Sequence, residues 1–82
     1  MTHLKVFSAP WCAPCKNLKP LVEQLELEGL VVVHVDIDED IAIAAMHGVR
    51  SVPTLKFYQE DELLRTHIGG MSAAQLKLFT TP

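Results

Sequence analysis

Cysteine is scarce in this chain. There are two in 82 residues, three positions apart, so no disulfide framework can staple the fold as it does in small secreted domains. Long apolar runs are missing as well: Leu30-Val31-Val32-Val33 stops at His34, and no run approaches the ~20 residues that a membrane-crossing helix needs. Positive charge is in short supply. Seven Lys and Arg are scattered among ten Asp and Glu, for a net charge of −3. That leaves no basic stripe to neutralise a phosphate backbone, and nucleic acid drops out of the expected partners. The opening residues Met1-Thr2-His3-Leu4-Lys5 lack the apolar stretch of a secretory signal, which sets the expectation of a cytoplasmic protein. What is present is ordinary globular material, 49% hydrophobic and 21% charged. The expected organisation is one domain over residues 1–82, without repeat or linker. At this size nearly every apolar side chain must serve a single core.

Lys5-Val6-Phe7-Ser8-Ala9, stopped by Pro10, reads as a buried strand. Leu18, Leu21, Val22 and Leu25 then fall at the spacing of one helix face, and Gly29 ends the run. Pro14 fits the first turn of that helix, whereas Pro20 lies inside it and predicts a bend. Leu30 to Ile37 is valine-rich without alternation, the pattern of a strand covered on both faces. Asp38-Glu39-Asp40 supplies capping and acidic residues ahead of a short helix containing Ile41, Ala44 and Ala45, with Gly48 placed to close it in a left-handed conformation. Thr54 to Tyr58 and Leu63 to Ile68 flank a polar turn and read as an antiparallel pair. Ser72 with Gln75 forms a capping box for a last helix carrying Leu76 and Phe79. The predicted order is β-α-β-α-β-β-α.

The chemistry sits in Trp11-Cys12-Ala13-Pro14-Cys15-Lys16, a C-x-x-C between strand and helix in a β-α-β context. Cys12 falls at the helix N-terminus, where unpaired N–H groups and the positive end of the helix dipole favour thiolate over thiol. It is expected to be the more exposed, attacking sulfur. Cys15, nearly one turn on and pointing inward, is placed to attack a mixed disulfide on Cys12 and release the partner. Lys16, four residues after Cys12, can add positive potential to the thiolate. Trp11 reads as a contact residue beside the reactive sulfur. The same C-x-x-C could be half of a zinc site, but His3, His34, His47 and His67 show no ligand spacing, so no metal is expected. His34 reads either as a polar interruption of its strand or as a proton carrier. The acidic run Asp36, Asp38, Glu39, Asp40 coincides with a helix start and is read as capping rather than cation binding.

Taken together, the Trp-Cys-x-Pro-Cys-Lys string, Pro20 five residues after the second cysteine, Ser51-Val52-Pro53-Thr54 and Ile68-Gly69-Gly70 resemble the thioredoxin superfamily, in order, from about Lys5 to Phe79. The resemblance implies a central four-stranded mixed sheet flanked by three helices, of glutaredoxin size, without the extra N-terminal strand and helix of full-length members. It further implies a protein disulfide reductase with Cys12 as nucleophile and Cys15 as resolving thiol. Pro53, in the cis form, would lie across from them, and Trp11, Ala13, Pro14, Val52, Gly69 and Gly70 would line the substrate surface. No bound cofactor is implied, because the dithiol is itself the redox centre. The implied partners are disulfide-containing proteins and an electron donor, either thioredoxin reductase or glutathione, acting on a monomer. A glutathione-recharged glutaredoxin and a non-catalytic binding module are the rival readings. Two positions depart from the pattern: Val6 stands where thioredoxins bury an aspartate behind the resolving cysteine, and His34 falls near the pattern's strand-two lysine. The residues with which glutaredoxins hold glutathione's charged ends are largely absent.

Overall fold

Two strands, the one that ends at Ser8 and the one that begins at Thr54, lie side by side in the middle of the sheet. The computed structural model describes residues 1–82. The elements are β1 (Thr2–Ser8), α1 (Ala13–Leu27), β2 (Val31–Asp36), α2 (Ile41–Met46), β3 (Thr54–Gln59), β4 (Glu62–Ile68) and α3 (Ala73–Phe79). The sheet order is β2-β1-β3-β4. β1 runs parallel to β2, with Val6 opposite His34, and antiparallel to β3, with Val6 opposite Leu55; β3 and β4 are antiparallel. This is the thioredoxin-like β-α-β-α-β-β-α arrangement, a four-stranded mixed sheet with three helices. No helix is long and apolar enough to cross a membrane.

Alternation along β1 divides the core. Leu4 and Val6 face one side, where they meet Leu18 and Val22 of α1, Leu76 of α3, and Leu55 and Phe57 of β3. Lys5 and Phe7 face the other side, which α2 covers: the Phe7 ring lies 5.2 Å from that of His47, and Lys56 Nζ donates to the His47 carbonyl at 2.7 Å. A cation at the end of α2 also suits the negative pole of the helix. At α3 the expected capping box is complete, with Gln75 N–H donating to Ser72 Oγ and Ser72 N–H donating to Gln75 Oε1. Past its other end, Arg65 Nη1 donates to the carbonyls of Phe79 and Thr81 at 2.8 and 2.6 Å, satisfying groups that the helix leaves open.

Three expectations change. β1 begins three residues earlier than its apolar segment, because Thr2 and His3 gain partners in Gln59, Tyr58 and Val31. β2 is an edge strand, not one covered on both faces: Val31 and Val33 are 44% and 41% exposed, since the short α2 covers only part of that side. Asp40 occupies the N-cap position of α2 but makes no side-chain cap bond, because its backbone (φ −105°, ψ 55°) is outside the extended region that aims a carboxylate at the first turn. Gly48 does take the left-handed conformation, at φ 67°. So does Glu60, at φ 52° in the tight β3–β4 turn. There its N–H donates to the Met1 carbonyl, and the N-terminal amino group, hydrogen-bonded to its carboxylate, holds that carboxyl below the usual range.

Tyr58 supplies a clean pH test, being the one tyrosine in the chain. It is 9% exposed, stacked on His3 at 4.8 Å with Lys5 Nζ 4.7 Å above the ring, and burial pushes its hydroxyl above the ordinary range. The folded protein therefore keeps this proton to higher pH than the unfolded chain does. Its contribution to stability is full below the unfolded value of ~10 and declines as pH rises past it. Near-UV titration of the folded protein is expected to place tyrosinate formation above that of free tyrosine. The urea midpoint should decline over the same alkaline range, and tyrosinate formation at the free value would contradict the burial effect.

Candidate functional site: a capped cysteine pair

Four residues separate the end of β1 from the start of α1, and the turn they make sets Cys12 at the helix N-cap. Cys12 N–H donates back to the Ala9 carbonyl at 3.2 Å, fixing the turn. Extended backbone at Cys12 (φ −91°, ψ 109°) then aims its Sγ at the first turn, where it accepts the Cys15 N–H at 3.2 Å. An open N–H of the helix thus falls on sulfur, as it does on the oxygen of an ordinary cap. Pro14 sits in that first turn, where a missing N–H costs nothing, and Pro20 lies inside α1 without interrupting it.

Cys12 and Cys15 form a disulfide, with Cα atoms 5.3 Å apart. Both are buried, at 4% and 8% exposed, so the expected contrast in exposure does not hold in this oxidised form. They pack with Ala9, and Ile37 and Val52 lie against that small cluster. Val52 comes from the loop before β3, where the Val52–Pro53 bond is cis and Pro53 is fully buried. Thr54 Oγ1 donates to the Ser51 carbonyl at 2.6 Å, bracing the same loop. The Pro53 carbonyl accepts the N–H of Gly69 at 2.8 Å, and Gly69 has φ 103°, a conformation that side chains disfavour. The end of β4 is thereby tied to the proline loop. Gly70 has neither positive φ nor a close neighbour, and nothing in the structure requires glycine there.

Trp11 is 66% exposed, and its Nε1–H donates to Asp38 Oδ2 at 2.9 Å. By sequence Asp38 reads as a helix-capping residue. Its role beside the cysteines depends on a contact across 27 positions, for which the local sequence carries no signal. Ala13, Pro14 and Lys16 are exposed on the first turn of α1. Lys16 forms no side-chain hydrogen bond or ion pair. His34 is bound to Glu26 of α1, Nε2 to Oε1 at 2.9 Å, a partner that sequence reasoning missed. The other histidines lie apart: His3 on Tyr58, His47 on Phe7, and His67 beside Phe79. No group of three or more His, Cys, Asp or Glu converges as metal ligands would.

A cysteine pair at the N-terminus of a helix, packed against a cis-proline loop on a mixed sheet, defines the dithiol–disulfide class of the thioredoxin-like fold. The thioredoxin family model matches residues 2–81, and the chain belongs to the thioredoxin family. It is 41% identical over 66 residues to the thioredoxin of Bacillus subtilis (strain 168), covering 77% of this chain and 64% of that protein. With the thioredoxin of Haemophilus influenzae it shares 38% over 76 residues, 89% of this chain and 71% of the relative. Among solved structures, a single-substitution mutant of thioredoxin from Halobacterium salinarum NRC-1 superposes with a TM-score of 0.90 at 36% identity, over 96% of this chain and 71% of that one. The chain thus spans about two thirds of the length of these relatives.

Proposed function

We propose that residues 1–82 act as a single thiol–disulfide oxidoreductase domain that reduces disulfides in protein substrates. The observation that carries this reading is the Sγ of Cys12 at the N-cap of α1, accepting the Cys15 N–H. In the reduced protein the same donor and the helix pole favour a thiolate at Cys12. That thiolate attacks a substrate disulfide, forming a mixed disulfide and releasing one substrate thiol. Cys15 then attacks Cys12, which frees the second substrate thiol and leaves the Cys12–Cys15 bond; two electrons pass from the dithiol to the substrate. Trp11, Ala13, Pro14, Val52, Gly69 and Gly70 form the substrate surface in this reading, with Lys16 adding positive potential near the thiolate; Pro53, expected among the substrate-binding residues, is fully buried and shapes the loop from beneath.

The donor in this reading is thioredoxin reductase, and the protein acts as a monomer in the cytoplasm, where reducing pools keep such dithiols reduced. With insulin as disulfide substrate, NADPH consumption is expected with thioredoxin reductase and at background with glutathione and glutathione reductase. The reverse pattern would make the protein a glutaredoxin in function, and no turnover in either arm would leave a binding module.

A further inference from the structure

A groove of about 770 Å³ runs along the α1 side of the sheet, with Cys15, Val6, Glu26 and His34 among its walls. Cys15, buried like Cys12 but without a helix N–H on its sulfur, must become a thiolate before it can attack, and burial in apolar surroundings opposes that. Val6 cannot accept its proton. Its partner across the β1–β2 ladder is His34, so both side chains are on the α1 face. Imidazole is the side-chain type whose ordinary proton exchange falls near neutral pH. A carboxylate can only accept, so in the neutral ring Nε2–H donates to Glu26 Oε1 and Nδ1 is the basic nitrogen. The two side chains are 46% and 36% exposed, which gives water access to them.

We propose that the Glu26–His34 pair takes the proton of Cys15, through water in this groove, when the mixed disulfide is resolved. The inference rests on the dithiol reading above and adds the group that handles the proton. Cys15 loses its proton to water that passes one on to Nδ1 of His34. The Cys15 thiolate attacks Cys12 Sγ, the Cys12–Cys15 bond forms, and the bond from Cys12 to the substrate breaks with its electron pair on the departing sulfur. The imidazolium then returns its proton to solvent or to the departing thiolate. Glu26 is a positioning residue that fixes the tautomer and offsets the imidazolium charge. The other charged groups lining the groove are Glu23, Lys16 and Lys19 of α1 and Asp36 of β2. β1 contributes only Val6 and Ser8, and the turn after it Ala9 and Pro10, none of them charged.

The test is rapid mixing of the reduced protein with stoichiometric dithiobisnitrobenzoate. The first release of coloured thionitrobenzoate reports attack by Cys12 and the second reports attack by Cys15. His34→Gln is expected to slow the second phase about tenfold at neutral pH and alter its pH profile, leaving the first phase unchanged. Glu26→Gln should slow the second phase about threefold, and free imidazole should restore it in His34→Ala. A second phase in His34→Gln with native rate and pH profile overturns the proposal and leaves the dithiol reading intact. Slowing that imidazole cannot restore, with an unchanged pH profile, also overturns it and makes His34 structural. Failure of the native protein to release thionitrobenzoate in two steps would instead sink the dithiol reading beneath it.

Discussion

Cys15→Ser is expected to accumulate as covalent complexes with disulfide-bearing proteins, while Cys12→Ser forms none and loses reductase activity by at least ~10³-fold. The asymmetry follows from the N-cap. Only Cys12 Sγ receives a helix N–H, and that bond comes from the backbone of Cys15, so replacing the Cys15 side chain leaves the donor in place. The nucleophile survives in Cys15→Ser, but the mixed disulfide it forms has no second thiol to resolve it. In Cys12→Ser the remaining thiol is Cys15, the third helical residue, which receives no cap bond. Non-reducing gels of each reduced variant mixed with oxidised proteins separate the two. Equal trapping by both, or none by either, would remove the division of labour and favour a dormant pair.

The second large effect concerns the core. Phe57 is wholly buried on inner strand β3, among Leu4, Val6, Leu18 and Leu76, with the Phe79 ring 6.4 Å away and Arg65 lying over it at 5.6 Å. Phe57→Ala removes most of a large side chain from a site bounded by β1, α1 and α3, whose backbones cannot all close on the gap. The expected loss is ~3–5 kcal/mol. A chain of this length has a total stability of only ~4–12 kcal/mol, so the variant stands near the edge of folding. In urea, with a slope of ~1–1.5 kcal/mol/M for so small a protein, the midpoint should fall by about 2–5 M or the native baseline should vanish. A fall below about 1 M would mean that the site collapses around the missing ring.

What the sequence made readable was local. C-x-x-C at a strand-to-helix turn, the Ser72–Gln75 box, Gly48 in left-handed backbone and the β3–β4 pair all depend on residues a few positions apart, and all appear as expected. What escaped depends on neighbours distant in sequence. The valines of β2 are as apolar as those of a covered strand, and only the strand order puts them at an edge. Asp38 looks like a cap until the fold brings it to Trp11. His34 and Glu26 lie on different elements, eight residues apart, and nothing in either segment announces the other. The first turn of α2 failed for a smaller reason: Asp40 has a capping side chain but a backbone conformation that misdirects it.

The inner position of β1 and β3 has a bearing on durability. Cys12 follows β1 after a short turn and Pro53 immediately precedes β3, so both halves of the cysteine site grow from strands paired on either side. Partial opening starts where backbone pairing is one-sided and burial is thin, which here means β2 and β4. Either flank can fray and re-form while the β1–β3 ladder keeps the two loops in register. Damage to the periphery therefore erodes stability first, and the alignment of the cysteine turn against the proline loop is the last thing to go.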